Sequence, residues 1–198
     1  MLILPDTEIA RHAERALRRT SPAHLVNHCL RSYVWAVAVA EAEGVVFDAD
    51  LLFVAAALHD LGLLEEFDSG NPFELDGARA AGEFASREGW AGDRVSVVHD
   101  AVALHVAEQV LLDDGAEAYL LWHGTGIDVS GTRVRELDPS FVTEVLEHLP
   151  RHDFRSGFAV MFNHQATTKP QSRASELVSH GLLDRLATCP LDRWAAAS

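Results

Sequence analysis

Eight consecutive apolar residues, Leu51 to Leu58, run directly into an adjacent histidine and aspartate, His59 and Asp60. Asp48 stands where a helix cap belongs and Gly62 where a helix stops, so FDADLLFVAAALHDLG reads as a short apolar helix with His59 and Asp60 in its last turn. A neutral imidazole and a carboxylate at the end of such a helix lose hydration with no evident partner. A bound cation resolves that cost. Nitrogen and carboxylate oxygen together suit zinc, iron, manganese or similar ions, and neighbours about 100° apart around a helix can both reach an ion beyond its end. The alternative is a surface His and Asp at a helix C-terminus, where the helix dipole disfavours a carboxylate.

Similar start and stop signals recur along the chain. In TSPAHLVNHCLRSYVWAVAVAEAEG, Ser21 is placed to cap, Pro22 to occupy the first helical position and Gly44 to end the helix. A third helix is expected after Asp76 in DGARAAGEFASREG, and a fourth from about Asp93 through VSVVHDAVALH. AEAYLLWHGTGID forms a fifth, and LDPSFVTEVLEHL a sixth with Asp138 as cap. DFRSGFAVMFNHQ and SRASELVSHGLLDRL carry helical apolar spacing as well, and neither a period-two strand nor an internal repeat stands out. The expectation is an all-α bundle. Two Gly-containing stretches, EEFDSGNPFELDG and GIDVSGTRVRELDP, read as functional loops beside the candidate metal residues.

A chain of 198 residues, 48% apolar, suffices for one domain with a real core and is short for two, so residues 1–198 are expected to form a single unit. Sixteen basic against 30 acidic residues give a formal charge of −14, which repels nucleic-acid phosphates and anionic membrane surfaces. Neither is expected as a partner. The N-terminal MLILPDTEIARHAERALRR lacks the order of a signal peptide, and no apolar run approaches the roughly 20 residues that span a bilayer. With only Cys29 and Cys189 present, a structural disulfide is not expected, and the reading is a soluble cytoplasmic protein.

His28 lies on the helix before the apolar run, flanked by Val26, Leu30, Val34 and Val37, and can face the same interior. The order His28, then His59-Asp60, then Asp128 in GTGIDVSG resembles the H…HD…D signature of the HD superfamily of metal-dependent hydrolases. NHCLRSYVWA, HDLG, NPFELDGARAA, AVALH and GTGIDVSG, in that order, look like the cyanamide hydratase branch of that superfamily, across roughly Leu25 to Gly131. The resemblance implies an HD-domain helical bundle of about 7–9 helices, with helices over 139–187 completing it. It further implies that His28, His59, Asp60 and Asp128 bind one divalent metal ion, zinc foremost and iron or manganese as alternatives. A catalytic ion keeps a position open for water, which it acidifies into a nucleophile.

Four further residues are candidates for the chemistry. His105, on an apolar face with Val98, Ala101 and Val102, is either a satisfied core histidine or, as the resemblance implies, a group that binds or protonates substrate. His123, five residues before Asp128, either lines the pocket or sits on a helix surface. Arg31, one turn after His28, is placed to orient substrate or steady a carboxylate such as Glu74; a plain salt bridge is the alternative. Glu74 is a candidate acid/base or supporting group, Asp76 a helix cap, and Tyr33, Trp35, Phe67 and Phe73 are candidates for pocket walls.

HD phosphohydrolases need cations against substrate phosphate, whereas HDLGLLEEFD offers only acids after the HD pair, with Arg31 the sole cation close by in sequence. The expected substrate is therefore a small neutral C–N compound, as in the conversion of cyanamide to urea. The alternatives are phosphate-ester or nucleotide hydrolysis, a non-catalytic ligand-binding module, and a di-iron oxygenase in which His105 and His123 add ligands. Apolar helical domains of this kind often pair with themselves, so a homo-oligomer is expected as well.

Overall fold

A computed structural model describes residues 4–194. Ten α-helices follow in chain order: α1 (Glu8–Thr20), α2 (Ala23–Glu43), α3 (Ala49–Leu58), α4 (Phe73–Arg87), α5 (Gly92–Leu104), α6 (Ala116–Ser130), α7 (Pro139–His148), α8 (Phe154–Thr168), α9 (Arg173–Ser179) and α10 (Leu182–Ala187). No strand occurs among the described residues. The all-α expectation holds, with slightly more helices than foreseen. None of them is long and apolar enough to cross a membrane.

Two departures account for the extra helices. α1 was not anticipated; its buried Ala10, Ala13 and Leu17 form an apolar stripe too small to stand out among its charges. SRASELVSHGLLDRL divides into α9 and α10 because Gly181, at φ 80°, takes the left-handed conformation and ends the first turn sequence.

Most caps act as their residues dictate. Asp48 accepts hydrogen bonds from the Asp50 and Leu51 amides, Asp138 from those of Ser140 and Phe141, and Gly44 closes α2 at φ 69°. Ser21 does not cap α2. Its hydroxyl is buried without a hydrogen-bond partner among the described residues, and Pro22 is the residue that leads into the helix. α4 starts at Phe73, earlier than expected. Asp76 therefore lies in its first turn and accepts from the Ser69 amide at 2.8 Å and hydroxyl at 2.5 Å, tying down the acidic loop.

Gly62 is not a left-handed helix stop; it lies within a single 3-10 turn, Leu61–Leu63. Its need for glycine is spatial. A Cβ there would fall 2.0 Å from the Phe73 carbonyl oxygen and 2.7 Å from the Gly77 amide nitrogen. The segment after His59 and Asp60 is thus pressed against the start of α4.

α3 is buried along the whole of Leu51–Leu58, so the fully apolar run forms the centre of the bundle. α2 and α6 cross closely where Gly124 faces the Ser32 carbonyl; a Cβ at Gly124 would lie 2.1 Å from that oxygen. α8 packs against α2 and the Leu61–Leu63 turn; its Phe154, Phe158 and Phe162 are spaced four residues apart on one face, the first two against the His28 ring and the third against Phe73. Cys29 and Cys189 are both buried free thiols.

Candidate metal centre

α2 delivers His28, and the end of α3 delivers His59 and Asp60, to one buried point. His28 Nε2 is 3.2 Å from His59 Nε2 and 3.3 Å from Asp60 Oδ2, and His59 Nε2 is 3.2 Å from Asp60 Oδ2. The hydrogen bonds around this triangle fix which nitrogens carry protons. His59 Nδ1 donates to the Ala56 carbonyl at 2.7 Å, and His28 Nδ1 donates to Asp128 Oδ2 at 2.7 Å. With the neutral rings in those tautomers, both Nε2 atoms present lone pairs to each other and to a carboxylate oxygen. Asp60 Oδ2 is buried and has no hydrogen-bond partner among the described residues.

Three lone-pair donors facing one another repel unless a cation lies between them. Edges of 3.2–3.3 Å lie between the roughly 3.0 and 3.4 Å expected for adjacent ligands of octahedral and tetrahedral ions with bonds of about 2.1 Å. His28, His59 and Asp60 therefore fit a divalent metal ion. Without a cation, one proton must take its place. Burial opposes charge on His59, but the adjacent Asp60 carboxylate and Cys29 raise its pKa well above the usual imidazole value. Burial likewise disfavours ionised Asp60, yet the facing histidines, His59 foremost, hold it well below the carboxylate range.

Asp128 occupies a different place from the other three expected ligands. Its Oδ1 accepts from Arg31 Nε at 2.7 Å and from Trp35 Nε1 at 2.9 Å, while Oδ2 accepts from Arg31 Nη2 at 2.8 Å and from His28 Nδ1. It thus meets His28 on the ring nitrogen opposite the triangle. His28, Arg31 and Trp35 lie three and four residues apart, which puts all three on one face of α2. Burial pushes the Asp128 pKa up, but the charges of Arg31 and Arg151 and these hydrogen bonds hold it well below the carboxylate range. The carboxylate fixes the His28 tautomer and turns Nε2 inward.

Arg31 is fully buried and does not reach Glu74. Besides Asp128 it donates to the Leu149 carbonyl at 2.9 Å and the Pro150 carbonyl at 3.2 Å, anchoring the end of α7. Arg151 continues the network, donating to the Asp128 carbonyl at 2.8 Å and pairing with Asp192 at 2.5 Å.

A cavity of about 350 Å³ opens over the triangle, with His28, His59 and Asp60 in its lining. His105 and His123 line it too. His105 Nδ1 donates to the Val102 carbonyl at 2.5 Å, so Nε2 faces Asp60 Oδ1 at 3.6 Å. His123 is half-buried and within 3.3 Å of the Arg133 guanidinium. Burial lowers its pKa, and Arg133 lowers it further.

Arg31 and Glu74 do not line the cavity, nor do the aromatic candidates Tyr33, Trp35, Phe67 and Phe73. Tyr33 packs edge-on against Phe53, Trp35 holds Asp128, and Phe73 packs beside His105 and Phe162. Glu74 is buried with Oε2 unpartnered among the described residues, and burial raises its pKa.

The walls contain residues that the sequence did not single out. Phe158 and Phe162 come from α8, and Arg173, Leu177, Leu182 and Arg185 from α9 and α10. The aromatic spacing on α8 was a usable signal; the two arginines had none, because they lie more than 110 residues from His28, His59 and Asp60 in sequence. The acids that follow the HD pair therefore do not describe the cavity, whose far wall carries cations.

No curated protein matches the chain. The model of one family, the HD domain, matches residues 25–139, more than half of the sequence and a span that contains His28, His59, Asp60, His105 and Asp128. With the buried His-His-Asp triangle at its centre, this chain belongs to the HD domain family.

Proposed function

We propose that this protein is a metal-dependent enzyme that adds water to a small C–N unsaturated substrate, in the manner of the cyanamide hydratase branch. The observation that carries the proposal is the convergence of His28 Nε2, His59 Nε2 and Asp60 Oδ2 at the base of a cavity of about 350 Å³. That volume lies at the low end for ligand sites and suits a small molecule. The whole chain acts as one unit in this reading, because α8, α9 and α10 supply walls that the matched span lacks.

A divalent ion held by the triangle supplies an acidified water and a Lewis acid. His28 is kept in the binding tautomer by Asp128, and His59 by the Ala56 carbonyl. His105, with Nδ1 committed to Val102, presents Nε2 as the atom that takes a proton from water and returns it to the substrate nitrogen. Phe158, Phe162 and Val129 exclude bulk water from the apolar wall. Water adds across the C–N triple bond and nothing leaves, so cyanamide would give urea. Asp128 acts here through His28, with the fourth-ligand role expected of it the competing assignment.

The test is metal analysis of the purified protein with a screen of cyanamide and other small nitriles. One ion per chain, turnover of such a compound and loss of both in His59→Ala support the proposal; absence of metal from protein purified without chelators overturns it.

A second reading, phosphate-ester hydrolysis, is favoured by Arg173 and Arg185 on the cavity wall. Phosphomonoester turnover without nitrile turnover, reduced in Arg185→Ala, selects it.

A further inference from the structure

A second cavity, of about 690 Å³, lies between α1 and α4 on another part of the molecule. Its floor is apolar, formed by Leu58, Leu61, Phe67, Ala80 and Phe84. Its rim is basic, with Arg15, Arg18, Arg19 and Arg87 against a single carboxylate, Glu88, which is engaged by His12 Nδ1 at 2.6 Å.

The pairing of these arginines is uneven. Arg18 is committed to Glu14 at 2.6 Å. Arg87 donates only to the Glu83 carbonyl, and Arg15 and Arg19 have no hydrogen bond or ion pair among the described residues. A quarter of the chain's 16 basic residues thus gather at one cavity in a protein with a formal charge of −14. Cations in the last turn of a helix offset its dipole, which accounts for Arg18, Arg19 and Arg87. Arg15 lies a turn earlier, and the dipole does not explain an apolar floor beneath the charges. His12, Arg15 and Arg19 are spaced three and four residues apart, so α1 presents them as one row while Ala10, Ala13 and Leu17 face the core.

We infer that this cavity binds a small organic anion, its apolar body against Phe67 and Phe84 and its phosphate, phosphonate or carboxylate head against Arg15, Arg19 and Arg87. Guanidinium groups bind such heads through charge-assisted paired hydrogen bonds, and the aromatic floor supplies the area that a bare ion cannot use. Leu58 and Leu61 flank His59 and Asp60 in sequence, so an occupant would rest on the back of the segment that carries two of the three triangle residues. The site stands independently of the reaction proposed above.

The test is titration of the full-length, 15N-labelled protein with phenylphosphonate and with octanoate, followed by amide chemical shifts. Inorganic phosphate serves as a head without a body and benzyl alcohol as a body without a head. Saturable shifts at Arg15, Arg19, Phe67 and Phe84, with affinity at least fivefold weaker in Arg15→Ala/Arg19→Ala at unchanged metal content, support the inference. Response to phenylphosphonate alone identifies an aryl phosphate-type ligand; response to octanoate alone identifies an aliphatic carboxylate. Equal binding by the double variant, equal binding of inorganic phosphate or benzyl alcohol, or shifts confined to the metal cavity overturns it.

Discussion

Asp128 shows at the level of single residues how much one carboxylate can be asked to hold. It receives two hydrogen bonds from a fully buried arginine, one from a buried tryptophan and one from His28. Removing one partner of a buried ion pair costs about 3–5 kcal/mol, because the other charge stays behind. Asp128→Ala is therefore expected to lower the unfolding free energy by about that amount in urea titration, through stranded Arg31. His59→Ala is expected to lose metal but to cost less stability than Asp128→Ala, because the Asp60 carboxylate left behind still faces His28 and His105. A variant pair in which Asp128→Ala loses metal but keeps its stability would instead mark Asp128 as a direct ligand. The pH dependence follows from the same geometry. Since the folded-state pKa of Asp128 is depressed, its contribution is present above the unfolded value of about 4 and lost as pH falls below it. Unfolding curves followed from pH 6 to below pH 4 are expected to show this loss, and it should be smaller in Asp128→Ala, where the similarly depressed Asp60 still contributes.

At the level of elements, two glycines set the distances on which the centre depends. Gly124 lets α6 approach α2 until its Cα faces the Ser32 carbonyl, and those two helices carry Asp128 and His28. Gly124→Ala is expected to push the helices apart and destabilise the protein by about 1–3 kcal/mol. Weaker metal retention should accompany that loss, measured by competition with a chelator. Gly92 meets no atom within 4 Å and supplies the contrast: Gly92→Ala should leave both quantities unchanged.

The elements also show where sequence was informative. α3 was legible from Asp48, the apolar run and the HD pair, because each signal is local and concerns one helix. Gly62 was legible as a special position but not for the right reason, since the obstacle to a Cβ is the carbonyl of Phe73, eleven residues away. α1 stayed hidden because alanines do much of its packing and arginines crowd its exposed face.

On the scale of the whole molecule, the triangle was readable while the cavity above it was not. His28, His59 and Asp60 stand on one side of a space whose other side is built by α8, α9 and α10, and nothing in a single sequence marks which distant helix folds over a site. The expectation of a neutral substrate rested on cations missing near the HD pair in sequence, whereas Arg173 and Arg185 arrive from the C-terminal helices. Arg185→Glu should discriminate the two substrate classes. Turnover of an anionic substrate is expected to fall at least tenfold, by a rise in KM, while turnover of a neutral nitrile should change little.

The chain of contacts behind His28 runs through Asp128 to Arg151 and on to Asp192. α2 and the 3-10 turn Pro190–Arg193 are thus buckled together through Asp128 and Arg151. Metal loading should then be readable far from the metal: a chelated sample is expected to be clipped near Asp192 by a nonspecific protease sooner than a loaded one, and the turn at Pro190–Arg193 becomes a reporter for the ion.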